Sequence, residues 1–198
     1  AHLVEHMAFK GTKRRSARNI AEEIEAVGGH LNAYTTRENT AFFAKVLKDD
    51  VSLATDIISD ILQHAVLDQE ELERERAVVI QEINQAHDTP DDIIFDYFQE
   101  TAYPNQAMGW PVLGSRALVK DLKRETLLKF MQEQYAGNRI VLAAAGKLKH
   151  DKLVKLARDK LTKLPTQSLS ATEPPIYVSG DYRERRDLEQ LHLIMGFD

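Results

Sequence analysis

The first six residues, Ala1 to His6, constrain this chain most, because they carry two histidines and a glutamate in the pattern H-x-x-E-H. At about 100° per residue, His2 and His6 lie one turn apart on a helix and point about 40° from each other. Two imidazoles at this spacing can each bind the same metal ion through a ring nitrogen. Glu5 lies on the same side of the helix, where its carboxylate can accept a proton beside the metal. The pattern therefore predicts a helix that carries part of a metal site.

A second stretch of the sequence carries two glutamates at helical spacing. Asp68 is placed to cap the start of a helix, and Pro90 stands just beyond its expected end. Glu75 and Glu82 are seven residues apart, so they share one face of this helix to within about 20°. Glu82 also lies among branched aliphatic residues, where a carboxylate is rare unless it is paired or bound to a metal. The alternative is an exposed helix surface, which fits Glu70, Glu71 and Glu73 better than it fits Glu82.

The composition narrows the class of protein. With 198 residues, of which 43% are hydrophobic, the chain can bury a sizeable core in one or two domains. Its formal net charge is −5, with both signs interspersed, so it lacks the basic footprint of a nucleic-acid-binding protein. No apolar run approaches the ~20 residues of a membrane span. The chain has no cysteine, so a metal site here must use histidine and carboxylate ligands.

These motifs resemble the signatures of the pitrilysin and mitochondrial-processing-peptidase family, the inverzincin zinc metallopeptidases. Residues 2–12 resemble that family's zinc helix, and residues 75–82 resemble its second signature, which supplies the third ligand. The 75 residues between His6 and Glu82 match the family's separation. Two further runs agree with it, residues 28–35 and 109–114. The bacterial, processing-peptidase-like branch is the most similar one.

The resemblance implies a function and a set of site residues. It implies a zinc-dependent endopeptidase that hydrolyses extended peptides or presequences, with Glu5 activating a zinc-bound water. His2, His6 and Glu82 would hold Zn²⁺, and Glu75 would act beside a ligand or through its charge. One further set would line the edge that holds the substrate: Asn32, Ala33 and Tyr34. The alternative to a substrate-binding role is that Asn32 is only a turn residue and Tyr34 only a core residue.

The same resemblance implies partners and leaves alternatives open. In this family, Arg and Tyr groups that stabilise the transition state come from a C-terminal half, so this chain alone would lack useful activity. A homo- or hetero-oligomer with a second family subunit is expected, besides the peptide substrate. A non-catalytic scaffold subunit and a zinc hydrolase of small molecules remain open. The chain begins inside its own motif, so we expect the native start to be missing, and the compartment stays open between bacterial cytoplasm and periplasm.

The predicted fold is α+β, with a mixed, largely antiparallel sheet and helices packed on it, as in an inverzincin N-terminal domain. We predict a zinc-binding peptidase domain over residues 1–165, a linker over 166–180, and the first strand of a second homologous domain over 181–198. The linker is predicted from its prolines, serines and threonines.

Hydrophobic periodicity predicts the elements of this fold. The predicted helices cover 16–27, 51–64, 68–87, 93–102, 115–134 and 151–161. The predicted strands cover 31–36 and 40–47 as a hairpin, 140–145 as a central strand, and 190–197. Trp110 is expected to be packed, because its side chain has a large apolar area.

Overall fold

A computed structural model describes residues 1–166 and 173–197 of the chain, and α-helices and a β-hairpin are the regular elements of these ranges. The α-helices and β-strands of these ranges are, in chain order, α1 (His2–Ala8), α2 (Ala17–Glu25), β1 (His30–Thr35), β2 (Thr40–Lys45), α3 (Val51–His64), α4 (Gln69–Asp88), α5 (Pro90–Ala102), α6 (Arg116–Asp121), α7 (Arg124–Gln134) and α8 (His150–Lys160). No helix in the described ranges has the length and apolar character needed to cross a bilayer.

Local side-chain caps explain where two of these helices start. The side chain of Ser16 accepts a hydrogen bond from the backbone N–H of Asn19 at the start of α2. Asp68 accepts hydrogen bonds from the N–H groups of Glu70 and Glu71 at the start of α4. Each cap satisfies donors that have no partner inside the helix. Both predicted helix starts are confirmed.

The hairpin of β1 and β2 forms the sheet of the described residues. The strands are antiparallel, and Thr35 lies directly opposite Thr40 at the turn end, as His30 does opposite Lys45 at the other. Burial alternates along β1, so that Leu31, Ala33 and Thr35 lie on the less exposed face. The α+β class is confirmed. The predicted sheet was larger and mixed, whereas the described residues contain these two antiparallel strands.

Helix α1 lies between two hydrophobic clusters. Its Leu3, Val4 and Met7 pack with buried residues of α4, which include Leu72, Val79 and Ile83. Its last residue, Ala8, packs in a second cluster with apolar side chains of α2 and α3. Removing this apolar surface from water contributes roughly 25 cal/mol per Å². The packing therefore fixes α1 against α4, the two helices that carry the predicted ligands.

The predicted long helix over 115–134 is wrong, because the structure breaks it into α6 and α7. Leu122 and Lys123 have extended backbone angles between the two helices. The guanidinium of Arg76 donates hydrogen bonds to the carbonyls of Val119 and Leu122, at 3.1 and 2.6 Å. These carbonyls would otherwise lose their partners at the break. A side chain from α4 thus stabilises an interruption that the periodicity of 115–134 does not reveal.

Two predicted strands are also wrong, since residues 140–145 and 190–197 are not in a sheet. A strand needs a hydrogen-bonded neighbour, and within residues 1–166 and 173–197 no segment pairs with either run. Val141 is 88% exposed and Leu191 is 91% exposed. Trp110 was expected to be packed but is 62% exposed.

The predicted division into 1–165, 166–180 and 181–198 stays a prediction, and residues 167–172 of its linker lie outside the described residues. Described residues of both the predicted linker and the predicted final segment contact α5. The backbone N–H of Val178 donates to the carbonyl of Ala102 at 2.8 Å, and the Arg186 guanidinium donates to the Tyr97 hydroxyl at 3.0 Å.

Candidate metal centre

Helices α1 and α4 bring His2, His6 and Glu82 together. One ligand atom from each of these residues lies within 4.8 Å of the other two. The Nε2 atoms of His2 and His6 are 3.8 and 3.7 Å from Oε2 of Glu82. Tetrahedral zinc with bonds of about 2.0–2.1 Å places its ligand atoms roughly 3.4 Å apart. The three side chains therefore need to move only slightly to bind one ion, although 75 residues separate His6 from Glu82.

Two buried polar atoms without hydrogen-bond partners also indicate that a cation can bind between these side chains. Oε2 of Glu82 and Nδ1 of His2 are buried, and neither has a hydrogen-bond partner among the described residues. A buried carboxylate oxygen without a donor is costly unless a positive charge lies close to it. Burial and the neighbouring His6 both lower the pKa of His2, which favours the neutral imidazole. Metal ions bind histidine in this neutral form.

Glu75 lies beside the ligand set and contacts His6. Its side chain is buried, with the residue 7% exposed, and Oε2 lies 2.9 Å from Nδ1 of His6. The other oxygen forms a 2.6 Å ion pair with the ammonium of Lys10. Burial acts to raise the pKa of Glu75, but the hydrogen bonds from Lys10 and His6 outweigh it and lower that pKa. The ionised carboxylate can only accept, so Nδ1 of His6 carries the proton and Nε2 is free for a metal.

Glu5 lies outside this triad and is held by the hairpin. The hydroxyl of Thr35 donates a hydrogen bond to Oε2 of Glu5. The Thr35 hydroxyl also lies 3.1 Å from the hydroxyl of Thr40. Neither Thr35 nor Lys10 was among the site residues predicted from the sequence. A signal existed for Lys10, which follows His6 by four residues, the spacing that brings two side chains together on a helix, although α1 itself ends at Ala8. None existed for Thr35, because its contact depends on how the hairpin packs on α1.

The three predicted substrate residues do not share one face of β1. Asn32 and Tyr34 are exposed, with Tyr34 at 52%, whereas Ala33 lies on the opposite, less exposed face. Tyr34 is therefore not a core residue. Oδ1 of Asn32 accepts a hydrogen bond from the backbone N–H of Ala33 at 2.8 Å. The role of these residues at a substrate edge stays a prediction.

A cluster of charges anchors the loop after α1 to α3. The guanidinium of Arg15 donates to Asp60 at 2.9 Å and to Asp56 at 2.7 Å. Asp60 also accepts from the Thr12 hydroxyl at 2.7 Å, and its side chain has no exposed surface. Lys160 of α8 completes the cluster with a 2.7 Å contact to Asp56. The cluster thus joins three parts of the chain: the loop after α1, α3 and α8.

Comparison with known proteins gives the same family as the motifs. The model described as Insulinase (Peptidase family M16) matches residues 1–116, and the model described as Peptidase M16 inactive domain matches residues 121–198. An uncharacterized zinc protease of Rickettsia bellii is 39% identical over 198 residues, covering all of this chain and 48% of that protein. The beta subunit of the mitochondrial-processing peptidase of Homo sapiens is 45% identical over 158 residues, covering 80% of this chain and 32% of that protein.

Solved structures of other proteases share the fold of this chain. A protease from Helicobacter pylori has a TM-score of 0.80 at 23% identity, over 88% of this chain and 43% of that one. Pitrilysin has a TM-score of 0.75 at 26% identity, over 89% of this chain and 20% of that one. The chain spans less than half the length of the curated relatives described above. It belongs to Peptidase family M16, a family of zinc metallopeptidases.

Proposed function

We propose that this chain carries the zinc-binding and proton-transfer groups of a zinc-dependent endopeptidase. The observation that supports it most is the convergence of His2, His6 and Glu82, with Glu5 on the same helix as the two histidines. Two neutral imidazoles and one carboxylate are a ligand set that leaves a fourth position open on zinc. When bound there, zinc would supply Lewis-acid chemistry that polarises a scissile carbonyl and makes water more acidic.

The side chains of this chain have separate tasks in the proposed reaction. Glu5 accepts the proton of the attacking water and then delivers it to the nitrogen of the leaving amine. Glu75 holds the His6 ring in one orientation through the 2.9 Å hydrogen bond to Nδ1. Lys10 and His6 engage both carboxylate oxygens of Glu75, so we assign the proton transfer to Glu5 and not to Glu75.

The proposed substrate is an extended peptide. In the described residues β1 pairs with β2 along one edge, and no strand pairs with its other edge. A peptide can add to such an edge through main-chain hydrogen bonds. Relatives named as beta subunits of the mitochondrial-processing peptidase support presequence-like peptides as the class and a second family subunit as the partner.

Peptide cleavage by the zinc-loaded full-length protein tests this proposal, with Glu5→Gln as the central variant. Because the glutamine cannot accept a proton, we expect kcat to fall by about 10²–10⁴-fold. Zinc per chain should stay at the wild-type value. Glu25→Gln, which changes an exposed glutamate of α2, is the matched control and should cleave like wild type.

Two results would count against the proposal. A Glu5→Gln protein that cleaves at near wild-type rate would overturn the proton-transfer role. A wild-type protein that binds zinc but cleaves no extended peptide, with its family subunit present, would favour the scaffold alternative instead.

A further inference from the structure

The hydroxyl of Thr35 has one proton and gives it to the carboxylate of Glu5. The Thr35 oxygen is therefore left to accept, and the Thr40 hydroxyl 3.1 Å away donates to it. The hydrogen bonds run in one direction, from Thr40 through Thr35 to Oε2 of Glu5. We infer that Thr35 is a positioning residue for Glu5, an inference that rests on the proposed function.

The hairpin gives Thr35 a fixed place. Thr35 and Thr40 are directly opposite each other in the register, at the last pair before the turn. The turn itself is closed by a 2.7 Å hydrogen bond from the N–H of Thr36 to the carbonyl of Asn39. Arg37 in this turn also pairs with Asp96 of α5. The hydroxyl that reaches Glu5 is thus carried by a segment held by backbone and side-chain bonds.

Thr35 is separate from the exposed side of the strand. It shares the less exposed face of β1 with Ala33, whereas Asn32 and Tyr34 lie on the exposed face. Its hydroxyl donates a hydrogen bond to Glu5 of α1. Removing its hydroxyl should therefore change the orientation of Glu5 more than it changes the contact surface for a peptide.

The bond leaves one oxygen of Glu5 for the reaction. Oε2 accepts from Thr35, so Oε1 is the oxygen that remains for the proton of water. A fixed carboxylate matters because a displacement of about 1 Å in a reacting group can reduce a rate by about 10²-fold.

The test compares Thr35→Val with Thr35→Ser in the zinc-loaded full-length protein. Valine keeps the shape of threonine and removes the hydroxyl, whereas serine keeps the hydroxyl. We expect kcat of Thr35→Val to fall by about 10–100-fold, with KM and the zinc Kd within about twofold of wild type. Thr35→Ser should keep kcat near wild type. Thr36→Val, whose lost hydroxyl bonds only within the turn, is the matched control.

Each other outcome overturns the inference. These outcomes are an unchanged kcat in Thr35→Val, an equal loss in the valine and serine variants, or a loss of zinc affinity that accounts for the lost activity. If Thr35→Val does not fold, Thr40→Val removes the next hydroxyl of the series and should lower kcat in the same direction. Glu5→Gln is measured in parallel: a Glu5→Gln protein that stays active refutes the proposed function, whereas an inactive one beside an unaffected Thr35→Val refutes only this inference.

Discussion

Nδ1 of His6 donates a hydrogen bond to the buried carboxylate of Glu75 over 2.9 Å. The two residues are 69 positions apart and belong to α1 and α4. The bond assigns the proton of the imidazole to Nδ1 and turns Nε2 toward Oε2 of Glu82, 3.7 Å away. One seven-residue interval of α4 therefore supplies both a candidate ligand and the group that orients the ring of another.

Glu75→Gln should weaken zinc binding. The neutral amide can still accept from His6, but it pairs poorly with Lys10 and has two rotational states. Loss of such an outer partner typically reduces metal affinity about 10–100-fold. Competition with a chromophoric chelator measures the zinc Kd. Glu70→Gln, an exposed change in the first turn of α4, is the control, and an equal Kd in both variants would refute this role of Glu75.

Lys10→Met should change zinc affinity in the same direction as Glu75→Gln. The ammonium 2.6 Å from Oε1 of Glu75 keeps this carboxylate in place, and methionine retains much of the apolar stem without the charge. Lys10→Arg keeps the charge and should restore most of the affinity. Because both side chains act on His6, the double variant with Glu75→Gln should lose less than the two single losses combined. Additive losses would show that Lys10 acts elsewhere.

Asp60→Asn should lower the free energy of unfolding by about 1–3 kcal/mol at pH 6, because it removes a buried charged acceptor of Thr12 and Arg15, while Arg15 keeps its bond to Asp56. Burial acts to raise the pKa of Asp60, but the bonds from Thr12, Arg15 and His64 lower it below its usual value. A depressed pKa gives stability that is present above the unfolded value of about 3.9 and is lost as the pH falls below it. Urea unfolding between pH 3 and pH 6 measures this.

The difference in unfolding free energy between wild type and Asp60→Asn should therefore shrink as the pH falls. Asp49→Asn is the matched control, since Asp49 is exposed and its pair with Lys48 is 3.7 Å long. Such a surface pair is worth about 0–1 kcal/mol. A difference for Asp60→Asn that stays constant with pH would contradict the account of the cluster.

Local patterns predicted the elements of the site better than its contacts. The helices that carry His2, His6 and Glu82 follow from spacing and caps along the sequence, and these three side chains do converge. The contact between Glu5 and Thr35 could not be predicted, because it depends on the packing of a hairpin against a helix.

The errors in the fold have the same tertiary origin. The break at Leu122 depends on the guanidinium of Arg76, a residue of a different helix. The run 140–145 has strand-like composition, but a strand also requires a neighbour, which the described residues do not provide. Trp110 is apolar enough to be buried, yet the fold leaves it exposed. Composition and periodicity give the helix or strand propensity of a segment, whereas its tertiary contacts decide which structure it forms.

The zinc bound per chain in Glu82→Gln, compared with wild type and Glu5→Gln after dialysis against a weak chelator, shows whether these side chains are the metal ligands. We expect about one zinc per chain for wild type and for Glu5→Gln, because Glu5 is not a ligand. We expect little zinc in Glu82→Gln, since an amide is a poor substitute for the third, charged ligand. Retention of zinc by Glu82→Gln with wild-type affinity would contradict the proposal that His2, His6 and Glu82 hold the metal.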